Sequence, residues 1–513
     1  MSLGRASARL FFVAACEMIA GALGQPFTMP LTTPPRLAAA IVIGVALRYV
    51  VGLHPVGWLA WLAPAALLVL ALRSDDREAR WLVLLATGLG CSANFTYYQT
   101  VMGTLLAVLV TIGMTLLWRW VIIATARLAL RYRSGWAIFI YPVLWVAVDQ
   151  LMAALLPDGN WASLAYSQSE NLQVMQVASL FGVAGVLFVL SLASSLIAMI
   201  VAKPRTVAHS AAAYSLATIL LAGALAFGVF RLQKPATGNP VTFGLATIDD
   251  AIGPQAQAGY IEGILQQYDA HVGSLATQGA RVVVLPEKIG VQSPARIAAW
   301  QTRFAELAAR HRVWLEVGVT QDDGAGIRNL AWLFEPSGAL SATYQKHFLA
   351  PPERAYLKGG VYETRAVDGN LYGLAICKDM HFASLGRAYA QRNAAVILVP
   401  AWDFYVDAWM GGRMTTARGI EGGYSVVRSS REGFMTVSDA YGRILAQRSS
   451  AFLPGATLLA TVPIGPRLHT LYAATGDVLG WSCVVIAACL LFLGARRAKA
   501  VVSEPRAASE ASV

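Results

Sequence analysis

Eight stretches of this 513-residue chain are apolar for long enough to cross a lipid bilayer, or nearly so: 36–53, 57–72, 81–98, 101–118, 135–156, 174–202, 208–230 and 472–494. A helix needs about 20 apolar residues to span the hydrocarbon core. Within lipid a backbone must satisfy its own hydrogen bonds, so such runs are read as helices. Seven precede a long polar stretch and one follows it; 57–72 is the shortest of them. Only 13% of residues are charged, against roughly a quarter in soluble domains. That excludes a disordered chain, a coiled coil and a wholly soluble protein. A further run, Leu10 to Leu23, follows Arg5 and Arg9 and contains Glu17. Residues 1–35 are therefore expected to form a signal-like or interfacial segment.

The formal net charge of +11 has a topological explanation. Arg73, Arg77 and Arg80 stand between two apolar runs, Arg127, Arg131 and Arg133 two loops later, and Lys203 and Arg205 two loops after that. Arg496, Arg497 and Lys499 end the last run, whereas 91–100 and 157–173 contain no Lys or Arg. The positive-inside rule puts the basic set in the cytoplasm and the polar stretch on the opposite face. With no zinc-type cysteine pairs, Walker loop or RNA-binding signature, no nucleic-acid partner is expected. Four of the five cysteines lie in apolar runs, which argues against a disulfide framework. No metal constellation stands out, and neither metal nor cofactor is expected. The organisation predicted is a seven-helix membrane domain (36–231), a soluble α/β domain (240–465), a final span (472–497) and a disordered tail (498–513).

Within 240–465, strands are expected at 241–248, 281–286, 313–320, 328–335, 371–377 and 394–399, and helices at 256–277, 293–311, 383–392 and 411–423. Continuous Val/Ile/Leu strands suggest sheets covered on both faces. Three chemically capable residues follow apolar strands or turns: Glu287, Lys346 and Cys377, the one cysteine in the polar half. The carboxyl ends of strands are where α/β sheets gather catalytic groups.

Together these segments resemble a known pattern. LPEK around Glu287, YQKHFLAPPE around Lys346 and AICKD around Cys377 resemble, in order, the Glu-Lys-Cys signature of the nitrilase (carbon–nitrogen hydrolase) superfamily. RGIEGGYSVVRSSREGFMTVSDAYGRIL (418–445) resembles its closing segment, with Arg418, Glu421, Gly423, Arg428, Gly433, Asp439 and Gly442 matching. Flanked by membrane runs, such a domain resembles the apolipoprotein N-acyltransferase family. GLHPVGWLAWLAP (52–64), GNWASLAYSQSENLQVMQVASLFGVAGVLFVL (159–190) and AATGDVLGW (473–481) resemble that family's membrane motifs.

The resemblance implies an α-helical membrane bundle of about eight spans carrying an α/β nitrilase-like αββα sandwich. It implies a monomeric, multi-pass protein of the bacterial inner membrane with its catalytic domain on the periplasmic face. The partners implied are a phospholipid acyl donor and a diacylglyceryl-cysteine lipoprotein acceptor. A free thiol has a pKa of about 8.5, so Cys377 needs activation. Glu287 suits the general base, and Lys346 suits the cation that favours thiolate and stabilises an oxyanion. Glu353, by resemblance, holds Lys346 or shuttles a proton.

Departures from the family pattern cluster at the expected substrate mouth. Lys378 and Asp379 replace an aromatic and a Glu after the nucleophile, Pro351-Pro352-Glu353 is one residue short, and ERAYLKGG (353–360) shortens the lid. PAWDFYVDAWMGG (400–412), with Trp402, replaces another family run, and Tyr260 stands for an early Trp. Lys378, Asp379, Tyr260 and Trp402 are therefore expected to contact substrate. The shorter lid leaves room for an alternative: a membrane-anchored amidase or nitrilase, or a paralogous acyltransferase with another amine acceptor. Elsewhere, Asp149 is read as exposed at the membrane interface, Trp118-Arg119-Trp120 as an interfacial anchor, and His347 and His381 as surface or supporting groups.

Overall fold

Long apolar segments become helices in the computed structural model, which describes residues 33–503 other than 162, 205–206, 208–209 and 251–256. The expectations for residues 1–32, for Arg205 and for 504–513 lie outside the described residues. The membrane part comprises α1 (Pro34–Val51), α2 (Leu59–Arg73), α3 (Asp76–Cys91), α4 (Phe95–Met102), α5 (Thr104–Tyr132), α6 (Ile140–Leu155), α7 (Leu172–Met175), α8 (Ala178–Ala202) and α9 (Ala211–Leu232). Among the described residues six helical segments are long and apolar enough to cross a bilayer: α1, α5, Gly135–Leu155, α8, α9 and Val478–Arg497. The expected figure of about eight also needs α2 and α3, which have 15 and 16 residues. The expected run 81–98 is divided, because α3 opens on the charged Asp76-Arg77-Glu78 and ends at Cys91 before a turn leads into α4.

Helix α5 continues 14 residues past its expected end at 118, so Arg127 and Arg131 are helical, not loop, residues. Long basic side chains can leave an apolar helix face for polar partners. Arg119 Nε donates to Arg80 O (3.1 Å), Arg127 Nε to Asp76 Oδ1 (2.7 Å) and Arg131 Nη1 to Gly494 O (2.7 Å). Arg73 reaches Val201 O on α8. The basic residues therefore share one end of the bundle. Trp118 is no interfacial anchor: it is buried against Trp145, ring centroids 4.3 Å apart. Asp149 is likewise buried rather than exposed, accepting a bond from Asn160 Nδ2 (2.6 Å).

The soluble domain is two face-packed sheets. One orders its strands β13-β1-β2-β4-β5-β6, with β3 beside β4; the other orders them β12-β11-β10-β9-β8-β7. The strands are β1 (Asn239–Thr247), β2 (Val282–Val284), β3 (Val291–Gln292), β4 (Trp314–Asp322), β5 (Ile327–Phe334), β6 (Leu340–Gln345), β7 (Thr364–Val367), β8 (Asn370–Leu374), β9 (Val396–Trp402), β10 (Ser425–Arg431), β11 (Phe434–Ser438), β12 (Ile444–Ser449) and β13 (Ala456–Ile464). Phe243, Leu333, Leu374, Leu398 and Val427 fill the space between the sheets. Helices α10 (Ala258–Thr277) and α11 (Pro294–His311) cover one outer face, packing Tyr268 and Phe304 on Leu285 and Val317. Helix α12 (Ala383–Gln391) covers the other through Leu385 and Tyr389, and α13 (Ala408–Gly422) leads from it toward the membrane helices. The αββα sandwich is the expected one. The chain ends on α14 (Leu471–Thr475) and α15 (Val478–Ser503), so 498–503 continue the last helix instead of starting a tail.

The two parts are joined by buried polar contacts. Helix α8 breaks at Phe181–Gly182, where Gly182 has φ +65°. The freed N–H of Val183 donates to Glu421 Oε1 on α13 (2.9 Å), and Glu421 also pairs with Arg418 (3.1 Å). A Cβ at Gly182 would lie 2.6 Å from the Tyr472 ring. Gly182→Ala is therefore expected to lower stability by ~1–3 kcal/mol. Thermal unfolding of the detergent-solubilised chain would show it as a lowered midpoint.

Candidate active site

The three candidate residues leave different strands and meet at one end of the sandwich. Glu287 follows β2 across Leu285-Pro286, Lys346 follows β6 directly, and Cys377 follows β8 by two residues. Lys346 Nζ lies 2.7 Å from Glu287 Oε1 and 2.8 Å from Glu353 Oε2. All three side chains are at most 2% exposed. Asn329 on β5 spans both carboxylates, its Nδ2 donating to Glu287 Oε1 (2.6 Å) and Glu353 Oε1 (2.7 Å). Lys288 forms a second ion pair with Glu353. One lysine thus sits between two acids, and one acid between two lysines, which leaves no buried charge unmatched.

Cys377 has φ +45°, in the left-handed region that a side chain enters at a cost of roughly 1–2 kcal/mol. Asp379 holds that conformation. Its oxygens accept from Ile376 N (3.0 Å), Tyr344 OH (2.7 Å), His347 N (3.0 Å) and Phe348 N (2.8 Å). The same carboxylate therefore grips the Cys377 turn and the backbone just after Lys346, fixing one relative to the other. Asp379 is fully buried and does not face the cavity, contrary to its expected contact with substrate. A residue with four acceptor contacts has no capacity left for a ligand.

Burial pushes the Cys377 thiol up from its usual value, and Glu287 adds to this, while Lys346 opposes it. The resting group is a thiol, Sγ 3.5 Å from Trp402 O. Burial works against the Lys346 ammonium, but Glu287 and Glu353 prevail and raise its pKa well above the ordinary lysine range. Lys346 therefore remains a cation and is no proton acceptor. Burial disfavours the Glu353 carboxylate as well, yet Lys346 and Lys288 bring its pKa down to about 2. A carboxylate whose folded pKa is depressed stabilises the fold above its unfolded value and loses that contribution as pH falls through the folded one. Stability is thus expected to decline between about pH 4.5 and about 2. Glu353→Gln should flatten that limb in an acid titration followed by circular dichroism.

These groups open into a cavity of about 500 Å³, within the range of ligand pockets. Its polar end is lined by Glu287, Lys288, Lys346, Glu353, Cys377, Lys378, His381 and Trp402. Its other end runs between membrane helices, along Met102, Leu106, Val110 and Met114 from the α4–α5 region and Met152 from α6. Tyr97 closes one side, stacked on Trp161 (4.8 Å) and donating to Asp407 Oδ2 (2.9 Å).

Lys378 and Trp402, both expected at the mouth, line this cavity. Lys378 is paired with Asp158, from the loop after α6, and donates to Leu349 O (3.0 Å). Trp402 stacks under Arg431, guanidinium carbon 3.9 Å from the ring centre. Tyr260 does not join them: it is 42% exposed on α10, its hydroxyl 3.3 Å from Asp250 Oδ1. His381 lines the cavity with a buried Nδ1 that has no protein partner, and is no surface group. His347 packs between Tyr344 and Tyr362. Sequence reasoning passed over Asn329, Lys288, Asp158 and Tyr97. Asn329 left one trace, a lone amide in the apolar strand RNLAWLF.

The sequence matches the family described as apolipoprotein N-acyltransferase N-terminal domain over residues 40–196, and the family described as carbon-nitrogen hydrolase over residues 251–464. It is 27% identical to an apolipoprotein N-acyltransferase of Geobacter metallireducens, over 89% of this chain and 95% of that protein. It is 26% identical to one from Gloeobacter violaceus, over 86% of this chain and 90% of that protein. Among solved structures, an amidase from Nesterenkonia sp. is 19% identical, over 48% of this chain and 97% of that one, with a TM-score of 0.40.

Proposed function

We propose, for a chain that belongs to the apolipoprotein N-acyltransferase family, that it transfers a fatty acyl group from a phospholipid to the N-terminal amine of a diacylglyceryl-cysteine lipoprotein. The carrying observation is the form of the cavity. One end holds a thiol, a carboxylate and a fixed ammonium, and the other is an apolar slot between membrane helices. A small amide has no use for such a slot, whereas an acyl chain fills it, and this favours acyl transfer over the amidase alternative.

The chemistry follows from the charges. Because the thiol rests protonated, Glu287 takes its proton as sulfur attacks the ester carbonyl. Lys346, held as a cation, stabilises the oxyanion. Glu287 then returns the proton to the departing alcohol, releasing lysophospholipid and leaving a thioester on Cys377. The acceptor amine attacks that thioester, Glu287 takes the amine's proton, and the thiol is regenerated. Glu353 and Asn329 position Lys346 and Glu287. The apolar slot keeps water from the thioester. Basic residues at the far end of the bundle support, by the positive-inside rule, a site on the periplasmic face of a bacterial inner membrane.

Incubation of proteoliposomes with radiolabelled phospholipid and a diacylated lipopeptide tests this reading. Triacylated peptide and lysophospholipid are expected in equal amounts. Free fatty acid released at a rate indifferent to the peptide would instead establish a hydrolase.

A further inference from the structure

A second groove lies at the head of the last membrane helix, and its lining shares no residue with the catalytic cavity. Its polar end holds Arg387 from α12 and Asp477, which immediately precedes α15. Below them Val478, Trp481, Val485 and Ile486 form one stripe of α15 at helical spacing. Each of these four is 47–63% exposed. The opposite side of the helix is packed: Gly480 meets Gln150 of α6, and Cys483 is buried.

The charges are arranged unusually. Arg387 donates Nε to Ala473 O (3.2 Å) and Nη2 to Ala474 O (3.1 Å), which fixes its guanidinium against the α14 turn. Both of these partners are backbone carbonyls, not carboxylates. Asp477 accepts from Tyr472 OH (2.6 Å) through Oδ1. A fixed cation and a fixed anion therefore line one groove, each held by a neutral partner. A tryptophan stands just below, at the depth where indoles favour the membrane interface, and an apolar lipid-facing stripe follows.

We propose that this groove binds a phospholipid with a zwitterionic phosphoethanolamine headgroup, phosphate on Arg387, ammonium on Asp477 and acyl chains along Val485 and Ile486. The placement in the outer leaflet rests on the orientation given above. A phosphate offers acceptors to guanidinium N–H groups, and a primary ammonium offers the N–H donors that a carboxylate accepts. A choline headgroup lacks those donors, and a glycerol headgroup lacks the positive charge. The bound lipid would join α12, which directly follows the nucleophile turn, to the last span. It would thereby hold the catalytic domain against the bilayer without entering the reaction.

The test uses the full chain in vesicles of equal phosphatidylethanolamine and phosphatidylglycerol, with Ser482, which also lines the groove, replaced by a benzophenone-bearing amino acid and the captured lipids identified by mass. The same photoprobe at Ile219, a lipid-exposed position on α9, reports the bulk ratio. Phosphatidylethanolamine is expected several-fold enriched at 482 over 219. Arg387→Gln and Asp477→Asn should each return 482 to the bulk ratio, and Arg387→Lys should retain part of the enrichment. Equal ratios at 482 and 219, or enrichment untouched by both substitutions, would overturn the proposal. The readout does not involve Cys377, so it can fail while acyl transfer stands.

Discussion

Cys377→Ala is expected to abolish acyl transfer, lowering the rate by about 10⁴-fold or more, because no other nucleophile is placed to replace the sulfur. The protein should still fold. Cys377 is 9% exposed, its sulfur makes one long contact to Trp402 O, and the turn that carries it is held by Asp379, not by the thiol. Alanine would also keep the left-handed φ no worse than cysteine does. The expected pattern is thus near-normal thermal stability with no lysophospholipid release. Comparing wild type and variant by unfolding midpoint and by product formation separates the two effects. Cys377→Ser should be nearly as inactive, since a buried hydroxyl is a weaker nucleophile and its deprotonation is costlier still.

Lys346→Met should damage both stability and catalysis. The ammonium is at most 1% exposed and carries two carboxylate contacts. Removing one partner of a buried ion pair typically costs 3–5 kcal/mol. Here Lys288 still neutralises Glu353, and Asn329 still donates to both acids, so the lower end of that range is expected. Glu287 would lose its cationic partner and keep only the Asn329 amide. Loss of the oxyanion partner removes about 10²–10³-fold in rate. Lys346→Arg, which keeps the cation, should lose less of both rate and stability than Lys346→Met. Product formation by the two variants, with their unfolding midpoints, checks both parts.

How much of this was legible in the sequence depended on the kind of signal. The strand before Lys346 (LSATYQ) was not expected, and only the family resemblance brought Glu287, Lys346 and Cys377 together. Glu287 and Cys377 follow apolar runs legible as strands, because strand periodicity is a local property. The limits of α10, α11 and α12 agree with the expected helices to within two residues for the same reason. Membrane helix limits fared less well. Hydropathy ends α5 at its first arginine, but Arg119, Arg127 and Arg131 each find a polar partner on another helix, which no local window contains. Asp149 and Trp118 were misjudged likewise, because burial is decided by what packs against a helix face.

At the site, side chains whose roles depend on contacts far along the chain were the hard ones. Asp379 was expected to meet substrate because it neighbours Cys377, yet its partners are Tyr344, His347 and Phe348. Tyr260 was expected at the mouth because it resembles a replaced family Trp, and the helix that carries it turns it toward solvent. Asn329 and Asp158 reach the site from a strand interior and a membrane loop, 42 and more than 200 residues from their partners.

A ping-pong transfer requires that an acyl group rest on Cys377 between donor and acceptor. Intact-mass and peptide-level mass spectrometry of the full chain, incubated with phospholipid and no lipopeptide, addresses it directly. A fatty-acyl adduct on the Cys377 peptide, removed by neutral hydroxylamine and discharged on adding lipopeptide, is the result predicted here. An unmodified Cys377, in a preparation that still produces triacylated lipopeptide once the acceptor is supplied, would contradict it.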